Sequence, residues 1–84
     1  MADHTLKYRD LLRRLKAFNV REIKSRGKGS ERLLQRVVGG VKYSTSAKCH
    51  SEGDKKPVAV IRAIRRRLKL TEEDGVSDSE FYGH

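Results

Sequence analysis

Glu31-Arg32-Leu33-Leu34-Gln35-Arg36-Val37-Val38-Gly39-Gly40-Val41-Lys42-Tyr43-Ser44-Thr45-Ser46-Ala47-Lys48-Cys49 is the stretch that decides the fold. Leu33, Leu34, Val37 and Val38 favour a strand from Glu31 to Val38, and a second runs from Val41 to Cys49. Between them stands Gly39-Gly40, a turn signal between two apolar runs of the kind a hairpin accepts. Before this hairpin lies the loop Ser25-Arg26-Gly27-Lys28-Gly29-Ser30, preceded by the short strand-like segment Val20 to Lys24. The spacing predicts three antiparallel strands.

Outside the strands the periodicity changes. From Thr5 to Phe18, the residues Tyr8, Leu11, Leu12, Leu15 and Phe18 recur at intervals of three and four and share one helical face. Asp3 or Thr5 suits the cap at the start of this helix, and Asn19 the left-handed turn after it. A second helix is expected from Pro57 to about Leu70. Pro57 fits its first turn, Asp54 fits its cap, and Val60, Ile61, Ile64 and Leu68 face inward. Arg62, Arg65, Arg66 and Lys69 form an outer basic stripe. The expected class is α+β in the order α-β-β-β-α, a three-stranded antiparallel sheet with two helices on one face. A partner, a second copy or RNA would contact the other face, or water would.

Charge divides the chain. Among 84 residues there are 20 Lys plus Arg and 11 Asp plus Glu, a formal charge of +9. Residues 71–84 hold five of the acids and no Lys or Arg, so residues 1–70 carry 20 bases against six acids, a net of +14. The expectation is a basic domain, 1–70, followed by an acidic C-terminal tail, 71–84. That tail is either a solvated extension or a segment that folds back over a basic groove, with Phe81 and Tyr82 as apolar anchors.

Size and composition exclude several classes. A chain this short has one small core, and a deep cofactor cavity would consume it. The single Cys49 rules out an internal disulfide, and one Cys with three scattered His does not make a zinc finger. No apolar run is long enough to span a bilayer, and the N-terminus lacks a signal-peptide pattern. The reading is a soluble, cytoplasmic protein with a polyanionic partner, without metal, cofactor or membrane.

Three places carry candidate chemistry. In Arg26-Gly27-Lys28-Gly29-Ser30 the glycines let backbone N–H groups approach an anion beside two cations, or they simply make a flexible hairpin loop. His50 stands where the third strand ends; histidine as a residue type can exchange a proton near neutral pH, as general acid–base cleavage of RNA requires, though a loop histidine is also an ordinary surface residue. Glu31 either pairs with Arg26, Lys28 or Arg32 or serves as a base toward a ribose 2′-hydroxyl.

These residues resemble the HicA-type toxins of bacterial toxin–antitoxin pairs. The resemblance covers Tyr8 to Leu70. It lies in the leucine-rich first helix, the basic glycine loop Arg26-Gly27-Lys28-Gly29-Ser30, the run Lys48-Cys49-His50 and the closing amphipathic helix. It implies a fold like that of double-stranded-RNA-binding domains, and cleavage of messenger RNA without a metal. The family loop is Gly-Ser-His, with the histidine assigned to catalysis; here Gly29-Ser30-Glu31 stands instead, so that histidine is missing. Either nuclease activity is lost with it and only binding kept, or His50 does the catalytic work with Glu31 in the complementary role, while Arg26, Lys28 and Lys48 offset charge at the phosphate. Arg62 and Arg65 add to the RNA-binding set. An acidic antitoxin of the HicB type is the implied protein partner. The alternative is a binding module without chemistry. In it Lys55 and Lys56, which resemble the lysine-bearing helix start of double-stranded-RNA-binding domains, hold phosphates.

Overall fold

The computed structural model describes residues 5–24, 31–49, 51 and 53–83. Its elements are β1 (Leu6–Lys7), α1 (Tyr8–Lys16), β2 (Arg21–Lys24), β3 (Glu31–Val38), β4 (Val41–Lys48), β5 (Lys55–Lys56), α2 (Val58–Arg67), a 3₁₀ turn (Glu72–Asp74) and α3 (Asp78–Tyr82). β2, β3 and β4 form an antiparallel sheet in that order, so the chain is a mixed α+β protein built on a three-stranded meander. β1 and β5 form a separate two-stranded ribbon.

The hairpin behaves as its glycines require. Gly39 and Gly40 have φ of 56° and 82°, and Val38 pairs with Val41 across them. Positive φ at both central residues matches the strand twist, and a Cβ would strain either position. From this turn the register runs without a bulge to Glu31 opposite Lys48.

Alternation then sorts the side chains. Leu34 and Ala47 lie on one sheet face and are buried in a single cluster with Tyr8, Leu11 and Leu15 of α1 and Ile61, Ile64 and Leu68 of α2. Arg21, Ile23, Glu31, Leu33, Gln35, Val37, Lys42, Ser44, Ser46 and Lys48 share the opposite, outer face. Arg36, on the inner face, donates to the carbonyls of Phe18, Leu68 and Lys69 at 3.1, 3.0 and 2.9 Å. One guanidinium thereby satisfies carbonyls beyond the C-terminal ends of both helices, where a cation is favoured.

Both helices are shorter than expected. α1 begins at Tyr8 because Leu6 and Lys7 are extended and pair with Lys56 and Lys55. Thr5 therefore does not cap it; Lys7 occupies the cap position without a side-chain bond, and the Tyr8 amide donates to the Asp54 carbonyl at 2.7 Å. Asp3 lies outside the described residues. Nor does Asp54 cap α2: its carboxylate accepts from the Ser51 amide and hydroxyl, both at 3.1 Å, and closes the loop. Pro57 stands one residue before the first helical position. Val60, expected inside, is 40% exposed. Asn19 does adopt the left-handed conformation after α1, with φ of 66°.

Of the two arrangements expected for the C-terminal segment, Phe81 and Tyr82 take the buried one rather than that of a solvated extension. The segment is distinct in charge but not in packing: Val76, Phe81 and Tyr82 belong to the same core as the helices, and Phe18 stacks on Phe81 at 6.1 Å. Arg65 is not on an outer stripe, since it is only 4% exposed. Its guanidinium donates to the carbonyls of Leu70 (2.9 Å) and Val76 (3.3 Å), pairs with Asp78 at 2.7 Å and lies 4.6 Å from the Phe81 ring centre. A buried guanidinium needs this many acceptors, and only the returning chain supplies them. Among the described residues no helix is long and apolar enough to cross a membrane.

Candidate nucleic-acid interface

At the sheet end remote from the Gly39-Gly40 turn, Glu31 and Lys48 stand directly opposite each other on the outer face, both exposed. They are the first residue of β3 and the last of β4. This brings one proposed catalytic residue beside one proposed phosphate contact. His50, Arg26 and Lys28 lie outside the described residues.

Beneath that end, on the inner face, is a buried polar group. Glu22 accepts a hydrogen bond from the Tyr8 hydroxyl at 2.8 Å and pairs with Arg32 Nε at 3.4 Å; both members of the ion pair are largely covered. Burial, then the Glu22 carboxylate, pushes the Tyr8 phenol well above its ordinary range. Burial also raises the Cys49 thiol, against the opposing pull of Arg32 and Lys56. A buried thiol held protonated is no nucleophile, so Cys49 is a packing residue. Among the described residues no group of three or more His, Cys, Asp or Glu is placed to hold a metal ion.

The other expected cations divide into two settings. Lys55 and Lys56 are in the ribbon, where Lys7 pairs directly opposite Lys55 and Leu6 opposite Lys56. Facing like charges destabilise a strand pair, and an anion seated over them removes the repulsion. Lys7 was absent from the expected set. Its partner is 48 residues away in sequence, and a two-residue ribbon leaves no periodic signal, so only the pairing reveals it.

Arg62 is exposed on α2, but its neighbourhood is mixed. An open cleft of ≈ 370 Å³ is lined by Arg62, Arg65 and Arg66 and also by Glu72, Glu73 and Asp78. The acids that the C-terminal segment brings here lower the potential along this side of the helix. The ribbon is therefore a more strongly cationic setting than the α2 face. No family model, curated protein or solved structure matches the chain.

Proposed function

We propose that this chain is a cytoplasmic RNA-binding protein of the HicA-like toxin type, with a fold like that of double-stranded-RNA-binding domains, that cleaves RNA without a metal. The observation that carries the binding half is the facing pair Lys7 and Lys55, on a chain of net charge +9; Lys56, opposite Leu6, lies on the other face of the ribbon. A phosphate bridging two such lysines gains charge-assisted hydrogen bonds and relieves their repulsion at once. Lys48 and Arg62 add exposed cations, and Arg26 and Lys28 are further phosphate contacts on this reading. Arg65 has no part in it, because its guanidinium is already enclosed.

The reaction would use the substrate's own nucleophile. Glu31 accepts the proton of the ribose 2′-hydroxyl, whose oxygen attacks the adjacent phosphorus. The bond from phosphorus to the 5′-oxygen breaks, and His50 in its protonated form gives that oxygen a proton. The products are a 2′,3′-cyclic phosphate and a free 5′-hydroxyl, and no metal or cofactor is consumed. An acidic antitoxin of the HicB type would neutralise the protein.

A second reading, binding without cleavage, is favoured by one observation: the lysines that carry the binding half, Lys7 and Lys55, face each other in the β1–β5 ribbon, and a phosphate held there needs no catalytic group. The experiment is incubation of the purified chain with single-stranded and duplex RNA in EDTA, beside His50→Ala and Glu31→Ala. Cleavage by the parent, reduced about 10²–10⁴-fold in His50→Ala with RNA retention intact, supports the toxin reading. Cleavage by His50→Ala at the parental rate removes that assignment. Intact RNA throughout, with preference for duplex, selects the binding module. Loss of all RNA retention at low ionic strength overturns both.

A further inference from the structure

β4 is an edge strand. It is paired on one side with β3, and no strand pairs with its other side among the described residues. Eight residues long, it contains no proline or acid. Its outer-face residues are Lys42, Ser44, Ser46 and Lys48, all exposed, with the exposed Val37 (59%) opposite Lys42 at the turn end. Such an edge presents a row of backbone N–H and C=O groups to any extended chain that reaches it.

We propose that β4 receives an extended acidic segment of a partner protein as a fourth strand, with carboxylates of that segment opposite Lys42 and Lys48. Charge selects the occupant. A second copy would pair antiparallel about a two-fold axis. The centred register that keeps each core on its own face sets Lys42 against Lys48, and shifting by one step leaves them diagonal neighbours. Both subunits would also carry +9. Nucleic acid is disfavoured differently. Base stacking on a sheet needs rings, and the outer face of the described sheet has none; Tyr43 lies on the inner face, 5.5 Å from the Lys69 ammonium. An alternating strand with acids six residues apart and small aliphatic or hydroxyl residues between them meets every position. This deepens the acidic-partner half of the proposed function, and its test contains no RNA substrate reaction.

The probe is an end-blocked peptide, Glu-Val-Thr-Val-Thr-Val-Glu, titrated into the full chain while amide hydrogen exchange and backbone chemical shifts are followed. The expected result is slowed exchange at alternate amides of β4, with β2 unchanged. Lys42→Glu should weaken binding about 3- to 10-fold while retaining the parental far-ultraviolet spectrum and unfolding midpoint. Replacing both peptide acids with lysine should abolish the protection. Unslowed β4 amides, or equal binding by the lysine peptide, overturn the proposal. So does a concentration-dependent dimer that protects β4 without peptide, or protection of β4 by polyuridylate. RNA retention and cleavage are measured separately, so failure here leaves the RNA reading standing or falling by its own experiment.

Discussion

Arg65 and Arg66 are neighbours in sequence with opposite fates. Arg65 is enclosed by two carbonyls, a carboxylate and a ring, whereas Arg66 is exposed. Arg65→Ala leaves the Leu70 and Val76 carbonyls without their donor and opens space against Phe81. The expected loss is about 2–4 kcal/mol in urea unfolding, below the full penalty of a buried pair because the Asp78 side chain keeps 40% of its exposure. Arg66→Ala should stay within about 0.5 kcal/mol. Tyr8 carries a prediction of its own. Its phenol is raised in the folded chain above an ordinary value of 10.0, so the folded state holds the proton more tightly than the unfolded state. That contribution is complete below pH 10 and is lost as pH rises further, because only the unfolded phenol then ionises. The urea midpoint of the parent should therefore fall more steeply above pH 10 than that of Tyr8→Phe, which starts lower by about 1–2 kcal/mol through loss of the bond to Glu22.

Among the elements, the C-terminal segment decides most. Val76, Phe81 and Tyr82 are buried, and each such side chain contributes about 1.5–3 kcal/mol, together about 5–9 kcal/mol. A domain of this size has a total stability of similar magnitude. The segment is therefore part of the fold, not a strap that lifts off a groove when RNA arrives. A chain ended after Leu70 should lose cooperative unfolding and bind a hydrophobic dye, as near-ultraviolet dichroism and dye fluorescence will report. Retention of the parental transition would show the helices and sheet to be self-sufficient. The ribbon of β1 and β5 is the other element of consequence, since it shortens α1 by three residues at its start relative to the periodic pattern and sets Lys7 opposite Lys55.

For the whole molecule, charge is an uneven surface rather than a single number. Glu72, Glu73 and Asp78 sit beside the arginines of α2, and the ribbon stays cationic. Each lysine that meets a phosphate should contribute about 0.7 to the slope of log affinity against log salt for single-stranded RNA. Lys7→Ala and Lys55→Ala together should reduce that slope by about 1.4, whereas Arg66→Ala should change it less. An unchanged slope in the double variant would remove the ribbon from the interface.

Sequence alone determined what depends on local chemistry: the Gly39-Gly40 hairpin, the strand register that follows from it, the inward faces of Tyr8, Leu11, Leu15, Ile61, Ile64 and Leu68, and the left-handed turn at Asn19. Each rests on a period or on the conformational freedom of one or two adjacent residues. Tertiary structure decided what depends on partners distant in the chain. Arg65 is indistinguishable from Arg62 or Arg66 by helical charge pattern until Asp78 and Phe81 return to it. Lys7 becomes a site residue only when Lys55 arrives opposite, and Asp54 is drawn from capping α2 to closing a loop and receiving the Tyr8 amide. A buried ion or a facing pair of like charges is a property of two segments at once, and no window of sequence contains both.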